Sequence, residues 1–168
     1  IPDENSYERD GVALGDARFW FIGRSDQQTS QEEPWFGLVD ESSKLNLNTA
    51  TAEMLQMLPR MTPQLAAAIV DWRDTDSTVS ENGAEAEPHQ RLTPPYRCKN
   101  APFESIDELR LVYGMDTEIL YGDDANLNGA LDANENDGDE SAPDDDRNSV
   151  LDPGILEYVT VWSREATN

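Results

Sequence analysis

The stretch "KLNLNTATAEMLQMLPRMTPQLAAAIVDWR", residues 44–73, passes from a strand pattern to a helix pattern and so decides the class of the fold. Leu45 and Leu47 alternate with polar residues, which predicts a half-buried strand. We expect this strand to form a hairpin with residues 35–40, "WFGLVD", because only the short turn "ESS" separates the two runs. The stretch therefore predicts a domain that contains both strands and helices.

Two helices are predicted next, over residues 48–59 and 62–73, and together they resemble the helix-hairpin-helix motif of DNA-binding proteins. That motif typically reads Pro-Gly-Ile-Gly between its helices, where the glycines let backbone N–H groups approach a phosphate. Here the connection is "PRMT", residues 59–62, and it contains no glycine. The sequence thus predicts a helix-hairpin-helix-like pair that keeps its packing role and does not grip DNA.

Polar residues at the starts of the helical segments predict where each segment begins. The second helix has Pro63 at its first position, where the missing N–H of proline costs nothing. The predicted N-caps are Asn48 or Thr51, then Thr62, Ser105 (with Glu108 three residues later, a capping box) and Asp116. One face of the second helix is predicted to be buried, and it carries Leu65, Ala68, Ile69 and Trp72.

Apolar runs near both ends of the chain predict the rest of the sheet. "ARFWFIG", residues 17–23, suits a buried strand, and "ILEYVTVWS", residues 155–163, suits a final strand covered on both faces. We expect the final strand to return to the sheet that begins at residue 17. The order of elements then predicts an α+β fold, with a helical unit inserted into a small sheet.

Composition excludes several classes of function. The chain has 168 residues, about one domain, and its net charge of −23 opposes binding to nucleic acid or anionic membranes. One cysteine, Cys98, and one histidine, His89, cannot build a Cys/His zinc site, and no pair of carboxylates stands out as catalytic, so we expect no enzyme. No apolar run reaches the ~20 residues of a membrane span, and neither an initiator Met nor a signal peptide is present. We expect a fragment whose targeting segment has been removed.

The segment 123–152 is the candidate metal site. It holds eleven acidic residues against one base, Arg147. Its first part matches D-x-[DN]-x-[DN]-G-x5-E, the pattern of a twelve-residue calcium loop, with Gly129 at the sharp turn. Leu131 would anchor this loop to the core. The expected ligands are Asp124, Asn126, Asn128, Ala130 through its carbonyl, Asp132 and Glu135.

A weaker second copy follows in the same segment. Ser149 replaces the glycine and Ile155 stands where the bidentate Glu is expected. Its candidate ligands are Asp137, Asp139, Asp144, Asp146, Asn148, Val150 through its carbonyl, and Asp152. A solvated acidic linker is the alternative interpretation of both loops. One calcium ion is expected, with room for a second.

Several motifs occur together in an order that resembles a known family. "KLNLNTATAEML", "AAAIVDWRDTD", "YRCKNAPFESIDELRLVYGM" and "GILEYVTVWSRE", with an acidic stretch before the last, resemble pseudopilin K of the bacterial type II secretion system. The resemblance implies a pilin-like small antiparallel sheet (residues 1–48 and 122–168) with an inserted helical domain (residues 49–121). It also implies calcium in the acidic loops, 123–152, before a final strand at about 155–163.

The same resemblance implies a role and partners. A structural subunit at the tip of the periplasmic pseudopilus is expected, assembling with minor pseudopilins I and J for protein export. The full-length protein would be anchored in the inner membrane by an N-terminal helix that is missing from this chain. Two alternatives remain: a calcium-dependent, dockerin-like extracellular binding module, against which the strand-rich sequence after Asp152 counts, and a helix-hairpin-helix DNA-binding domain.

Overall fold

The computed structural model describes residues 11–20, 22–23, 35–36, 39–129, 131–142 and 144–163. The chain divides into two compact units. The acidic unit comprises Ile1–Asp40 and Tyr121–Pro153, and the helical unit comprises Glu41–Leu120 and Gly154–Asn168. The predicted domains, 1–48 with 122–168 and 49–121, differ from this division, because the strand near residue 45 and the final strand both fall in the helical unit.

Short antiparallel strands form the N-terminal part of the acidic unit. Strands β1 (Val12–Leu14) and β2 (Ala17–Phe19) pair with Val12 opposite Phe19, around a turn in which Gly15 has a φ of 63°. Strands β3 (Ile22–Gly23) and β4 (Trp35–Phe36) form a second pair.

Two sequence predictions about these strands are wrong. The run at 17–23 is not one buried strand, since Ala17 and Arg18 are exposed and Trp20 is 48% exposed. The hairpin expected between residues 35–40 and 44–48 is not formed by the described residues of these runs, since residues 35–36 pair with β3 and residues 45–46 pair with 159–160. Apolar composition alone does not select a strand's partner, and the turn at Gly15 offers a nearer partner for residues 17–19.

The helical unit contains short helices and one longer helix. None of the helices in the described part of the chain has the length and apolar character that a membrane crossing requires. The α-helices are α1 (Ala52–Leu55), α2 (Pro63–Arg73), α3 (Ala86–Gln90) and α4 (Thr117–Tyr121), the last of which ends at the first residue of the acidic unit's second segment. Turns of 3-10 helix occur at Glu41–Ser43, Ile106–Leu111, Ala133–Glu135 and Ile155–Glu157.

A parallel strand pair joins the two ends of the helical unit. Strand β5 (Leu45–Asn46) pairs with β6 (Val159–Thr160), and the N–H groups of Leu45 and Leu47 donate to the carbonyls of Tyr158 and Thr160, both at 2.8 Å. The sequence predicted that the final strand returns to the sheet that begins at residue 17. This prediction is wrong, because the strand pairs with β5 instead. The final strand is also shorter than expected, because the N–H of Tyr158 bonds the carbonyl of Ile155 at 3.0 Å and closes a helical turn there.

Helix α2 lies at the centre of the helical unit. All four residues of its predicted face are buried, and Ala66, Ala67 and Asp71 are buried as well, so the helix is covered on nearly every side. Around it the buried core includes Leu47, Leu55, Leu109, Ile155 and Val159, each 0% exposed. The predicted mixture of helices and strands is therefore observed, and its strands occur in small two-stranded pairs.

The predicted caps of the helical segments are confirmed. Thr51 Oγ1 accepts from Met54 N at 3.3 Å, and Thr62 Oγ1 accepts from Leu65 N at 3.1 Å. Ser105 and Glu108 form the capping box, although the segment behind it is 3-10 helix. Asp116 Oδ1 accepts from Ile119 N at 2.8 Å. Caps are local in sequence, which is why their residues identify them.

Candidate metal centre

The ends of the acidic segment are tied together inside the acidic unit. Gly122 and Pro153 form a bridge, and the N–H of Asp123 donates to the carbonyl of Asp152 at 2.9 Å. The Asp123 side chain, 2% exposed, accepts from the N–H of Asp152 at 3.1 Å through Oδ2. The segment therefore closes into a loop that begins and ends at one point.

The first predicted calcium loop turns around Asp124. Its Oδ1 accepts from the N–H of Asn128 at 3.0 Å and its Oδ2 from that of Gly129 at 3.0 Å, and the residue is only 2% exposed. Gly129 has a φ of 73°, in the left-handed region that glycine adopts without strain. The sharp turn predicted at Gly129 is thus present, and Asp124 fixes it.

The remaining side chains of this loop face one another. Asn126 Nδ2 and Asn128 Nδ2 donate to Asp132 Oδ2 at 2.7 Å and 2.9 Å. Glu135 accepts from the N–H of Asp132 at 3.0 Å and from that of Asn126 at 3.5 Å. Hydrogen bonds therefore link the five described residues predicted as ligands, while Ala130 lies outside the described residues.

The donor set of this loop suits a calcium ion. Calcium takes six to eight oxygen ligands from carboxylates, amides, carbonyls and water, and the loop offers carboxylate and amide oxygens. Glu135 is 1% exposed and makes no ion pair with any lysine or arginine among the described residues. A buried carboxylate held only by backbone N–H groups is the kind of group that a bound cation compensates. When bound, calcium would supply positive charge at the centre of the loop.

The second predicted set is more open. Asp139, Asp144, Asp146 and Asn148 are exposed, and Asp137, Val150 and Asp152 are half-buried. Asp137 is engaged by Ser141, whose Oγ donates to Oδ2 at 2.8 Å. Asp146 accepts from Asn148 N at 3.0 Å, and Asn148 Nδ2 lies 3.5 Å from Asp152 Oδ2. The alternating residues thus form successive local turns.

Asp145, which the pattern of alternate residues passes over, organises this second segment. Its Oδ2 accepts from the N–H groups of Asp137 and Gly138, both at 2.8 Å, and its Oδ1 from that of Arg147 at 2.6 Å. Partial burial raises the pKa of Asp145, but these backbone donors and the Arg147 charge outweigh it and lower the pKa overall. Arg147 also donates to the Asp137 carbonyl and pairs with Glu140 at 2.9 Å.

Carboxylates also converge in the helical unit, at a place that the sequence did not indicate. One oxygen each from Asp71, Asp74 and Glu85 lies within 4.8 Å of the others. Among the residues that the structure describes, this is the group of three or more carboxylate, imidazole or thiolate side chains whose possible ligand atoms lie within that distance of one another. The described acids in 123–152 do not make such a group.

The lone cysteine and histidine are both buried in the helical unit. Burial raises the pKa of the Cys98 thiol to about 11, so the thiol stays protonated at neutral pH. His89 is 0% exposed, with Nδ1 at 2.6 Å from the Glu85 carbonyl and its ring against Trp72, Tyr96 and Tyr113.

Comparison with known proteins finds relatives of the residues that form the longer segment of the helical unit. Residues 40–121 match the family described as type II secretion system (T2SS), protein K. Type II secretion system protein K of Pectobacterium carotovorum is 43% identical over 56 residues, which are 33% of this chain and 17% of the relative. The protein K of Klebsiella pneumoniae is 39% identical over 71 residues, 42% of this chain and 22% of the relative. That of Aeromonas hydrophila is 46% identical over 57 residues, 33% and 17%.

The matches extend over only part of each protein. The chain spans about a fifth of the length of the curated relatives it matches. A chain in the crystal structure of the GspK-GspI-GspJ complex from the enterotoxigenic Escherichia coli type 2 secretion system is similar with a TM-score of 0.39 and 24% identity, over 46% of this chain and 34% of that one. The family match and the three relatives agree that residues 40–121 are similar to type II secretion system protein K.

Proposed function

We propose that this chain is part of a structural, non-catalytic subunit of the type II secretion pseudopilus. The observation that carries the proposal is the match of residues 40–121 to protein K, which covers the first and longer segment of the helical unit, Glu41–Leu120. The buried, protonated Cys98 and the packed His89 agree with a role that needs no chemistry. The subunit would act in protein export from the periplasm, and the full-length protein would be held at the inner membrane by an N-terminal helix.

The partners we propose are the minor pseudopilins I and J. A protein K from another type II system forms a GspK-GspI-GspJ complex, and we extend this assembly to the present chain through the family. A pilus-like fibre grows by repeating a head-to-tail contact. A subunit that carries an additional compact unit would obstruct the next copy, so we place this one at the tip, where no subunit follows.

Calcium is the stabilising ion that we propose for the first loop. It would be held by Asp124, Asn126, Asn128, Asp132 and Glu135, with the carbonyl of Ala130. The acidic segment carries eleven acids and one base, so a bound cation relieves repulsion that the chain cannot relieve by itself. A second ion at Asp137–Asp152 stays a prediction, since Asp145 and Arg147 already tie that part together.

Mixing the soluble domains tests the assembly. Pseudopilins I and J of the same system would be combined with this chain, and the mass would be measured by light scattering after gel filtration. We expect a 1:1:1 complex and no filaments from this chain alone. The major pseudopilin serves as the matched control partner. A stable complex with the major pseudopilin, and none with I and J, would refute the tip assignment.

A further inference from the structure

Three carboxylates meet beneath the loop that follows helix α2. Asp71 lies in the last turn of α2, Asp74 caps its end, and Glu85 precedes α3. Asp71 is 0% exposed and Glu85 is 3% exposed, while Asp74 is half-buried. One oxygen from each lies within 4.8 Å of the other two. This group lies wholly within the helical unit and shares no residue with the acidic segment.

Hydrogen bonds satisfy only part of this group. Asp71 accepts from the N–H of Ser80 at 3.2 Å and 3.3 Å, and Glu85 Oε2 is 3.4 Å from Asn100 Nδ2. Glu85 Oε1 and Asp74 Oδ1 are buried and have no hydrogen-bond partner among the described residues. An unpartnered oxygen on a side chain as buried as Glu85 is costly, so it indicates a missing ligand at this point.

Basic side chains compensate the group only weakly: the charge of Arg73 acts to lower the pKa of Asp74, but no ion pair with the group is formed by the described residues. Arg73 is the nearest base in sequence, but its guanidinium donates to the carbonyls of Leu47 and Ala50. Burial is the main cause that raises the pKa of Asp74 and of Glu85, and neighbouring carboxylates raise both further. The Arg73 charge on Asp74 and the Asn100 hydrogen bond to Glu85 act in the opposite direction but do not outweigh these causes.

We propose that Asp71, Asp74 and Glu85 bind a calcium ion in the helical unit. The spacing fits, because two oxygens each ~2.4 Å from one ion lie at most ~4.8 Å apart. The ligands are oxygens without imidazole or thiolate, which favours a hard cation over zinc. Water would complete the six to eight ligands that calcium takes.

The sequence around these acids contains a distorted calcium-loop pattern. Asp74, Asp76, Thr78 and Glu85 have the spacing of the first, third, fifth and twelfth positions of such a loop, between α2 and α3. Val79 stands where the loop needs glycine, and the left-handed residue is Asn82, with a φ of 67°. The chain turns later than in a regular loop, and Asp71 from the preceding helical turn joins the group. A search for the calcium-loop pattern that requires glycine at the sixth position therefore does not find this loop.

Gly83 lets the loop approach the carboxylates. A Cβ on Gly83 would overlap the carboxylate of Asp71. Gly83→Ala should therefore displace Asp71 and weaken calcium binding without removing any acid. This variant provides a second test, independent of charge.

Calcium counting by equilibrium dialysis tests the proposal, using chain first stripped with chelator. Glu85→Gln should bind one calcium fewer than the wild type, and Gly83→Ala should bind that calcium more weakly. Glu81→Gln, an exposed acid in the same loop, is the matched control and should bind as the wild type does. Unchanged stoichiometry and affinity in a folded Glu85→Gln would overturn the proposal, as would a site filled by magnesium in the presence of equal calcium.

Two further measurements separate this site from the acidic segment and from a folding defect. Glu135→Gln should lose a different calcium, so the double variant with Glu85→Gln should lose both. In chelator, Glu85→Gln should melt no lower than the wild type, because the neutral amide removes repulsion among the acids. In calcium, the order should reverse. A variant that melts lower by the same amount in both buffers would show that Glu85 has a packing role only, and would overturn the calcium site.

Discussion

Glu135 and Glu108 illustrate two ways in which this chain holds a carboxylate away from water. Glu108 is surrounded by donors: Lys99 Nζ at 2.7 Å, the N–H of Glu104 at 2.7 Å and that of Ser105 at 3.2 Å. Glu135 receives backbone N–H groups and no basic side chain from the described residues. The negative charge of Glu108 is compensated by Lys99. Glu135 has no such partner among the described residues, which is why we propose a calcium ion there.

Calcium should raise the stability of the wild-type chain, and Glu135→Gln should remove the part of that gain that comes from the ion in the first loop. At free calcium near 100 times Kd, linkage gives about 2.7 kcal/mol. The glutamine keeps the shape of the side chain and loses the charge that attracts the ion. Thermal melts in calcium and in chelator measure the difference. Glu118→Gln, an exposed acid outside the acidic segment, is the control, and coincident wild-type curves in the two buffers would contradict the expectation.

Glu108 should make a pH-dependent contribution to stability. Partial burial raises its pKa, but Lys99 and the two backbone donors outweigh this and lower the pKa below its ordinary value of 4.5. A depressed pKa means that the stabilisation is complete above pH 4.5 and is lost as the pH falls through the folded value. Glu108→Gln should therefore cost about 1 kcal/mol at pH 7 and less at pH 3.

Urea denaturation at the two pH values measures the Glu108 effect. Glu104→Gln is the matched control, since Glu104 faces the same lysine at 3.6 Å but its side chain is 86% exposed. Its effect should stay within about 0.5 kcal/mol at both pH values, because an exposed ion pair contributes little. A Glu108→Gln cost that does not change with pH would argue against the ionised carboxylate as its source.

At the scale of elements, the starts of helices could be predicted from sequence and the partners of strands could not. Thr62 and Ser105 bond N–H groups two or three residues away, so a few letters contain the whole interaction. Strand β6 pairs with β5, far away in sequence, and its residues carry no signal that selects this partner. For the same reason the acids within 124–135 could be predicted as one loop, whereas Asp71 with Glu85 became visible only in the fold.

Strand β6 should be essential to the helical unit. Val159 is 0% exposed, and Trp162, three residues later, is 74% exposed. Val159→Ala should reduce the free energy of unfolding by about 2 kcal/mol, because it removes buried methyl groups. Trp162→Ala should change it by less than about 0.5 kcal/mol. Urea denaturation followed by far-ultraviolet circular dichroism checks both, and equal effects would contradict the β5–β6 pairing.

The charge of the whole molecule decides which large partners it can meet. A net charge of −23 repels phosphate backbones at long range, and the helix pair α1 and α2 has no glycine in its connection to approach them closely. Arg60, the base in that connection, donates to the carbonyl of Glu118 at 2.9 Å. The features that would allow a helix-hairpin-helix to hold DNA are therefore missing from both the surface and the motif.

Duplex DNA should not bind to this chain. A gel shift at low salt is the most permissive test, since phosphate contacts weaken steeply as salt is added. We expect no shift at micromolar protein. A basic helix-hairpin-helix protein run in parallel shows that the assay detects binding. A salt-sensitive micromolar complex would contradict the expectation and return DNA binding to consideration.

The β5–β6 pairing also sets the order in which the protein can mature during its synthesis. Strand β5 emerges from the ribosome before β6, with the helices of the unit between them. Until β6 arrives, the N–H groups of Leu45 and Leu47 lack their acceptors, and the core around α2 lacks Ile155 and Val159. Before β6 is synthesised, the helical unit is therefore exposed to chaperones and proteases, and it becomes resistant only once β6 has paired with β5.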